Sequence, residues 1–176
     1  MKHPTQPHVS SRVLKLNVGF LLAAGPGHSH DTAFDVPAVR VAHDLDLEYL
    51  RGPLRLSRTK EGILVQGELQ VGLEDECTRC LDPVPREVSL NLAELFAYPA
   101  PLDTEFSVND TGILDLAPLV RDEVFIALSS GVLCRLDCAG LCPHCGQNLN
   151  DTTCDCASDA IDPRFAQLKE LLDTNL

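Results

Sequence analysis

The sequence has no tryptophan and few aromatic residues, which make up only 5% of its 176 positions. Its hydrophobic content of 44% still suffices for a core, which leucine, valine and alanine must therefore fill. It also lacks a long apolar run, because the longest, residues 18–24, falls far short of the roughly 20 residues that a membrane helix needs. We therefore expect no membrane span, and one ordinary domain with or without a small appendage.

Basic residues are scarce as well, with 14 lysines and arginines against 26 acidic residues and a net charge of -12. The imbalance is local, since residues 1–60 sum to +3 and residues 61–176 to -15. So acidic a chain is a poor general nucleic-acid binder, because most of its surface would repel phosphates. A basic protein partner suits it better. The best candidate RNA footprint is the group Arg51, Arg55, Arg58 and Lys60, for which a salt-bridged surface is the alternative interpretation.

Signatures of catalysis are missing too. Gly25-Pro26-Gly27 lacks the Lys-Ser/Thr of a phosphate-binding loop, and no Gly-x-Ser-x-Gly elbow or metalloprotease helix occurs. A secretion signal is also disfavoured, because Asn17 and Gly19 would interrupt its apolar core. We therefore expect a non-catalytic, cytoplasmic protein whose cysteines stay reduced.

Apolar residues alternate with polar ones along residues 13–97, which predicts an antiparallel sheet with a barrel-like closure as one hypothesis. Strands are predicted at 13–24, 33–36, 54–59, 63–74 and 85–96, with 44–50 as a helical turn or strand that ends at Gly52-Pro53. Asp115 is expected to cap a helix over 116–128. A second helix should begin at Asp162-Pro163 and use Phe165 and Leu168 as anchors. The predicted fold class is therefore α+β with two helices.

Three regions follow from this pattern. Residues 1–11 are predicted to be a disordered leader, and residues 12–133 an α+β core domain. Residues 134–176 are predicted to form a C-terminal zinc-binding cysteine module and the final helix.

The cysteines are the strongest signal in the sequence. They form four close pairs: Cys77/Cys80, Cys134/Cys138, Cys142/Cys145 and Cys154/Cys156. Cys142-Pro143-His144-Cys145-Gly146 has the spacing of a zinc knuckle, in which the glycine permits a left-handed backbone. All-sulfur, four-coordinate sites suit zinc better than magnesium or calcium. Disulfides, buried structural thiols and an iron–sulfur cluster are the alternatives.

The pairs can be combined into two Cys₄ zinc sites. The sequential partition joins Cys77/Cys80 with Cys134/Cys138, and Cys142/Cys145 with Cys154/Cys156. Its main rival is a single site of Cys134, Cys138, Cys142 and Cys145. That rival leaves Cys77 and Cys80 available for a thiol-based oxidoreductase, although no helix N-terminus that would lower a thiol pKa is evident there. We predict the sequential partition, which uses all eight thiols.

Several short motifs together resemble a known family. They are Leu16-Asn17-Val18-Gly19-Phe20-Leu21-Leu22, Arg58-Thr59, Gly62-Ile63-Leu64-Val65, Glu76-Cys77-Thr78-Arg79-Cys80-Leu81, Gly140-Leu141-Cys142-Pro143-His144-Cys145-Gly146, Asn148-Leu149-Asn150, Cys154-Asp155-Cys156 and Asp162-Pro163-Arg164-Phe165. From about residue 13 to residue 172 the sequence resembles the YceD family, the large ribosomal RNA subunit accumulation proteins.

The resemblance implies a bacterial, cytoplasmic protein that supports accumulation of large-subunit (23S) ribosomal RNA and has no known enzymatic activity. It favours a large-subunit precursor or a basic ribosomal protein as the partner. Cys77 and Cys80 match the Cys-x-Arg-Cys motif typical of the family. The later Cys-Pro-x-Cys-Gly and Cys-x-Cys motifs belong to only part of it, which suggests that the two halves of the cysteine set are separable.

Overall fold

The structure is a computed structural model that describes residues 10–99 and 104–156. Its elements in chain order are a 3₁₀ turn (Ser11–Leu14), β1 (Lys15–Asn17), α1 (Gly19–Ala24), β2 (Ser29–Val36), β3 (Val39–Ala42), β4 (Leu45–Leu47), β5 (Tyr49–Arg58), β6 (Gly62–Glu76), β7 (Pro83–Ala97), β8 (Ile113–Asp115) and α2 (Ala117–Leu128). None of the described helices is long and apolar enough to cross a membrane.

The chain divides into two compact units. The first is Met1–Thr78 with Asp82–Cys134, and the second is Arg79–Leu81 with Arg135–Leu176. All the described helices and strands belong to the first unit. The second unit, within its described residues, is built from turns and one isolated bridge between Leu141 and Asn148.

A four-stranded antiparallel sheet in the order β2-β5-β6-β7 forms the centre of the first unit. Strands β6 and β7 pair along their whole length, from Gly62 opposite Ala97 to Glu76 opposite Pro83. Two smaller sheets pair β1 with β8 and β3 with β4. The α+β prediction is confirmed, but the sheet is open and the described strands do not close into a barrel.

The alternation read from the sequence places the core correctly in β6 and β7. Ile63, Val65 and Leu69 of β6 are fully buried, and the hairpin turn at residues 59–61 lies where the predicted strands 54–59 and 63–74 meet. Gly67 shares this buried face and lets β5 approach, because a Cβ there would lie 2.4 Å from the carbonyl oxygen of Pro53. Fully buried leucines of this kind contribute about 2–5 kcal/mol each when compared with alanine.

Helix α2 packs against β7 of the four-stranded sheet and against β3 of the smaller β3–β4 sheet. The helix begins at Ala117 with Leu116 at the N-cap position, and the Asp115 carboxylate, the predicted cap, accepts a hydrogen bond of 3.0 Å from the amide of Ala117 from one residue earlier. Near the helix end, Arg86 of β7 donates to the carbonyl of Ala127 at 3.0 Å and forms an ion pair of 2.7 Å with Asp75. These bonds hold the C-terminal end of α2 against the start of β7, which follows Cys77 and Cys80 in the sequence. The helix prediction is thus confirmed to within one residue at its start.

The predicted strand over residues 13–24 is wrong. Only Lys15–Asn17 is extended, and the chain then turns into α1 after the Asn17 side chain accepts the amide of Gly19 at 3.1 Å. Leu14, Val18 and Leu21 are buried, whereas Phe20 is 52% exposed. Val18 and Leu21, three residues apart and joined by a backbone hydrogen bond of 2.9 Å, lie on the buried side of the first turn of α1.

Residues 45–47 form strand β4, and β5 continues through Gly52-Pro53 instead of ending there. The C-terminal helix predicted from Asp162 and most of the predicted leader, residues 1–9, lie outside the described residues.

Candidate metal centres

The eight cysteine side chains lie in two groups of four. Cys77, Cys80, Cys134 and Cys138 form the first cluster, and Cys142, Cys145, Cys154 and Cys156 the second; in each, all four Sγ atoms lie within 4.8 Å of one another. These are the groups of the predicted sequential partition, and the rival combination is not brought together. All eight are thiols rather than disulfides. Either cluster could hold a metal ion.

The knuckle at Cys142 has the geometry that its sequence predicts. The amide of Gly146 donates to the carbonyl of Cys142 at 2.9 Å, and the amide of Cys142 donates to the carbonyl of Gln147 at 2.8 Å. Gly146 has a φ of 73°, so the turn needs the left-handed backbone that glycine adopts easily. The amide of His144 points at the Cys142 sulfur, 3.4 Å away. Backbone amides thus face the thiol that would carry negative charge.

The pair at Cys77 repeats this turn without a glycine. The amide of Cys77 donates to the carbonyl of Asp82 at 2.9 Å, the same five-residue step as in the knuckle at Cys142. Leu81, which follows Cys80 as Gly146 follows Cys145, has a φ of 62°. A left-handed leucine is unfavourable by about 1–2 kcal/mol. Sequence reasoning identified the Cys77/Cys80 pair but missed its knuckle turn, because the turn residue is not a glycine.

The first cluster lies where α2 leads back to the sheet. Thr78 attaches the turn after β6 to the chain that follows α2. Its amide donates to the carbonyl of Val132 at 2.9 Å, and its hydroxyl donates to the same oxygen at 3.1 Å. Cys77 and Cys80 are buried, with 0% and 3% of their surface exposed, whereas Cys134 is exposed. The cluster thus includes two thiols from the end of β6 and its knuckle, and two from the chain that follows α2.

Thiol pKa values in the second cluster are pushed apart. The amides of Cys145 and His144 donate to the Cys142 sulfur and lower the pKa of this thiol to about 6. A hydrogen bond with the Cys145 thiol, together with burial, raises the pKa of Cys156 to about 12. For Cys154, the amide of Cys156 favours the thiolate, but the Cys142 sulfur and burial outweigh it and raise the pKa.

This separation of pKa values is what close packing of thiols produces in the absence of a cation. Once one sulfur is ionised, its neighbours keep their protons because adjacent like charges repel. A bound divalent cation removes that restriction, because a coordinating thiol is deprotonated outright. The electrostatics of the second cluster therefore suit a cation.

The donor set also fits zinc. Four sulfurs around a tetrahedral zinc at about 2.3 Å stand about 3.8 Å apart. The sulfur atoms of each cluster lie within 4.8 Å of one another, so at most a small contraction would bring them to this spacing. All-thiolate sites with four ligands and no open position are the structural kind rather than the catalytic kind.

The arginines of the candidate RNA footprint already have acidic or carbonyl partners. Arg51 pairs with Asp35 at 3.0 Å and Arg55 with Asp31 at 3.6 Å, across the β2–β5 ladder. Arg58 donates instead to the carbonyl of Gly62 at 3.1 Å within the hairpin turn. The salt-bridged surface is therefore the reading that the geometry favours for Arg51 and Arg55.

Comparison with known proteins places these features in context. A family model described as "Large ribosomal RNA subunit accumulation protein YceD" matches residues 65–172. Uncharacterized proteins of Mycobacterium bovis and Mycobacterium tuberculosis are 38% identical over 125 residues, which is 68% of this chain and 60% of each relative. The chain thus corresponds to less than two thirds of the length of these relatives.

A plant protein shares a shorter segment. The Arabidopsis thaliana protein described as "Large ribosomal RNA subunit accumulation protein YCED homolog 1, chloroplastic" is 33% identical over 58 residues, 33% of this chain and 18% of its own length. No solved structure matches the chain.

Proposed function

The chain belongs to the YceD family of large ribosomal RNA subunit accumulation proteins, and on that premise we propose that it is a non-catalytic, cytoplasmic factor for large-subunit assembly. It supports the accumulation of 23S ribosomal RNA, and two zinc ions stabilise it. The single observation that carries this proposal is that all eight cysteines gather into two four-thiol clusters within the region that the family model matches.

Zinc has a structural role in this proposal. Each cluster supplies four sulfurs, so a tetrahedral ion would keep no position for water or substrate. The predicted ligands are Cys77, Cys80, Cys134 and Cys138 at one site, and Cys142, Cys145, Cys154 and Cys156 at the other. Zinc at the first site would hold the exit of α2 beside the end of β6, and zinc at the second would fix the chain between residues 142 and 156.

The proposed partner is a basic ribosomal protein on a large-subunit precursor. The net charge of -15 over residues 61–176 favours a positively charged partner and disfavours bare RNA. The pairing of Arg51 and Arg55 with aspartates supports the same choice, because these guanidinium groups are partly neutralised. RNA contact through Arg51, Arg55 and Arg58 is the weaker candidate.

A thiol-based oxidoreductase that uses Cys77 and Cys80 is not favoured. Reactive cysteines lie in partially exposed, electropositive surroundings, whereas these two side chains are buried among two further thiols. Thiol–disulfide exchange by the purified, zinc-loaded protein would revive this alternative.

Sedimentation of cell extracts in sucrose gradients tests the proposed function. Depletion of the protein should lower the level of large subunits relative to small ones, and the protein should sediment with large-subunit precursors. After depletion, the wild-type chain should fully restore the level of large subunits, whereas a chain with Cys77→Ser and Cys134→Ser should restore it poorly. Unchanged subunit levels after depletion, together with no association with precursors, would refute the proposal.

A further inference from the structure

Asn150 lies in the sequence between two cysteines of the second cluster, but its side chain contacts a cysteine of the first. It lies in the loop between Cys145 and Cys154, both members of the second cluster. Its side-chain Nδ2 nevertheless donates to Sγ of Cys138, a member of the first cluster, over 3.4 Å. Sulfur accepts hydrogen bonds at this distance, and a donor beside a ligand sulfur stabilises its thiolate form.

The orientation of the Asn150 amide is fixed by its other partners. Its Oδ1 accepts from the amide of Ala139 at 2.8 Å and from the guanidinium of Arg135 at 2.8 Å. Two donors on that side require the oxygen there, so the NH₂ group must face the sulfur and Oδ1 of Asn148, 2.8 Å away. The hydrogen-bonding capacity of the side chain is thus used around Cys138.

The backbone of the same loop is attached to the chain that carries Cys138. The amide of Leu149 donates to the carbonyl of Gly140 at 2.9 Å, and Leu141 bridges Asn148. Gly140, which accepts the first of these bonds, lies two residues after Cys138 and has a φ of 76°. The position of Asn150 therefore depends on the conformation of the loop at residues 146–153. Cys145 and Cys154 of the second cluster flank this loop.

We propose that Asn150 is a positioning residue for the metal at the first cluster, and that through it the two metal sites bind cooperatively. This inference rests on the proposed zinc sites. Metal bound to Cys145 and Cys154 fixes both ends of the loop and so holds Asn150 against Cys138. The entropy of ordering the loop is then already spent when the first cluster binds, which makes that binding tighter. Thermodynamic reciprocity requires the first site to favour the second by the same factor.

Titration of the metal-free 176-residue chain with Co²⁺ tests this, because thiolate-to-cobalt absorption reports binding at four-thiolate sites, and a chain with Cys77→Ser and Cys80→Ser gives the signal of the second site alone. The informative variant is Asn150→Asp, which keeps an oxygen for Ala139 and Arg135 but replaces the donor that faces the sulfur with an anionic oxygen. Gln147→Glu is the matched control, since it makes the same chemical change in the same loop where the amide donates to Thr152 and not to a thiol.

Asn150→Asp should weaken Co²⁺ binding at the first cluster by about 10- to 100-fold, as loss of a second-layer ligand contact does. Gln147→Glu should leave it unchanged within about twofold. Cys154→Ser with Cys156→Ser should also weaken the first site, and Asn150→Asp should then weaken it by a smaller further factor. A residue that merely braced the loop through its oxygen would be rescued by aspartate.

The outcomes separate this inference from the proposed function. A wild-type chain that binds fewer than two ions overturns the proposed zinc sites, and this inference with them. A wild-type chain with two ions, whose first-site affinity is untouched by Asn150→Asp, overturns the inference alone. So does a first site whose affinity is independent of the second cluster.

Discussion

Replacing Cys134 by serine should destabilise the first unit far more than replacing Cys145. Both are the exposed member of their cluster, so neither substitution removes a buried contact. Cys134 and Cys77 close a segment of about 57 residues that contains β7, β8 and α2. Loop-closure entropy for a cross-link of that length is about 4 kcal/mol at 25 °C. The binding of zinc to the folded state alone gives a similar estimate. Free zinc at a thousandfold excess over its Kd stabilises the folded state by about 4 kcal/mol.

Such a loss corresponds to a fall in Tm of roughly 8–16 °C for a chain of this length. Circular dichroism of the zinc-loaded proteins follows the sheet and α2, and hydrogen exchange of β6 and β7 amides locates the effect. Cys145→Ser should cost the first unit much less than Cys134→Ser, because its cluster lies wholly beyond residue 141 and acts on the first unit only through the metal affinity of the first cluster. Adding a chelator to the wild type should reproduce the Cys134→Ser result. Equal losses for Cys134→Ser and Cys145→Ser would refute the reasoning.

Three other expectations concern affinity, backbone strain and the partner. Zinc binding at the second cluster should weaken at least about 100-fold for each unit of pH decrease near neutrality. The reason is that the raised pKa values of Cys154 and Cys156 leave two protons for zinc to displace. Calorimetry measures this, and a pH-independent affinity would contradict it. Leu81→Gly should raise the free energy of unfolding in denaturant titrations by about 1 kcal/mol, since it relieves a left-handed backbone, and a loss of stability would show that the leucine side chain matters more. Arg51→Glu with Arg55→Glu should leave co-sedimentation with large-subunit precursors unchanged; weaker binding with a flatter salt dependence would identify an RNA footprint.

The sheet and the cysteine clusters could be predicted because their signals are local and chemically specific. Apolar residues alternate in β6 from Ile63 to Leu73, a span long enough to distinguish a strand from a helix. The cysteine pairs are equally explicit, since few arrangements of four pairs give two sites with short connections. The prediction for residues 13–24 failed because a three-residue strand and a six-residue helix follow one another there, and the alternation of apolar residues continues across both.

What could not be predicted depends on contacts between distant positions. Asparagine is a typical turn residue, so the position of Asn150 in the sequence does not reveal that its side chain reaches Cys138. Leu81 carries no signal for a left-handed backbone, because that conformation is imposed by the hydrogen bond that closes the knuckle between Cys77 and Asp82. The pairing of Arg51 with Asp35 likewise follows from the register of β2 and β5.

The metal content of the purified protein tests the central claim most directly. Elemental analysis should find about two zinc ions per chain, as two closed four-thiolate sites require. Cys77→Ser and Cys154→Ser should each remove about one of them and leave the other in place. One zinc per wild-type chain, unaffected by Cys77→Ser, would contradict the assignment of the first cluster, and a protein that binds no zinc would contradict both.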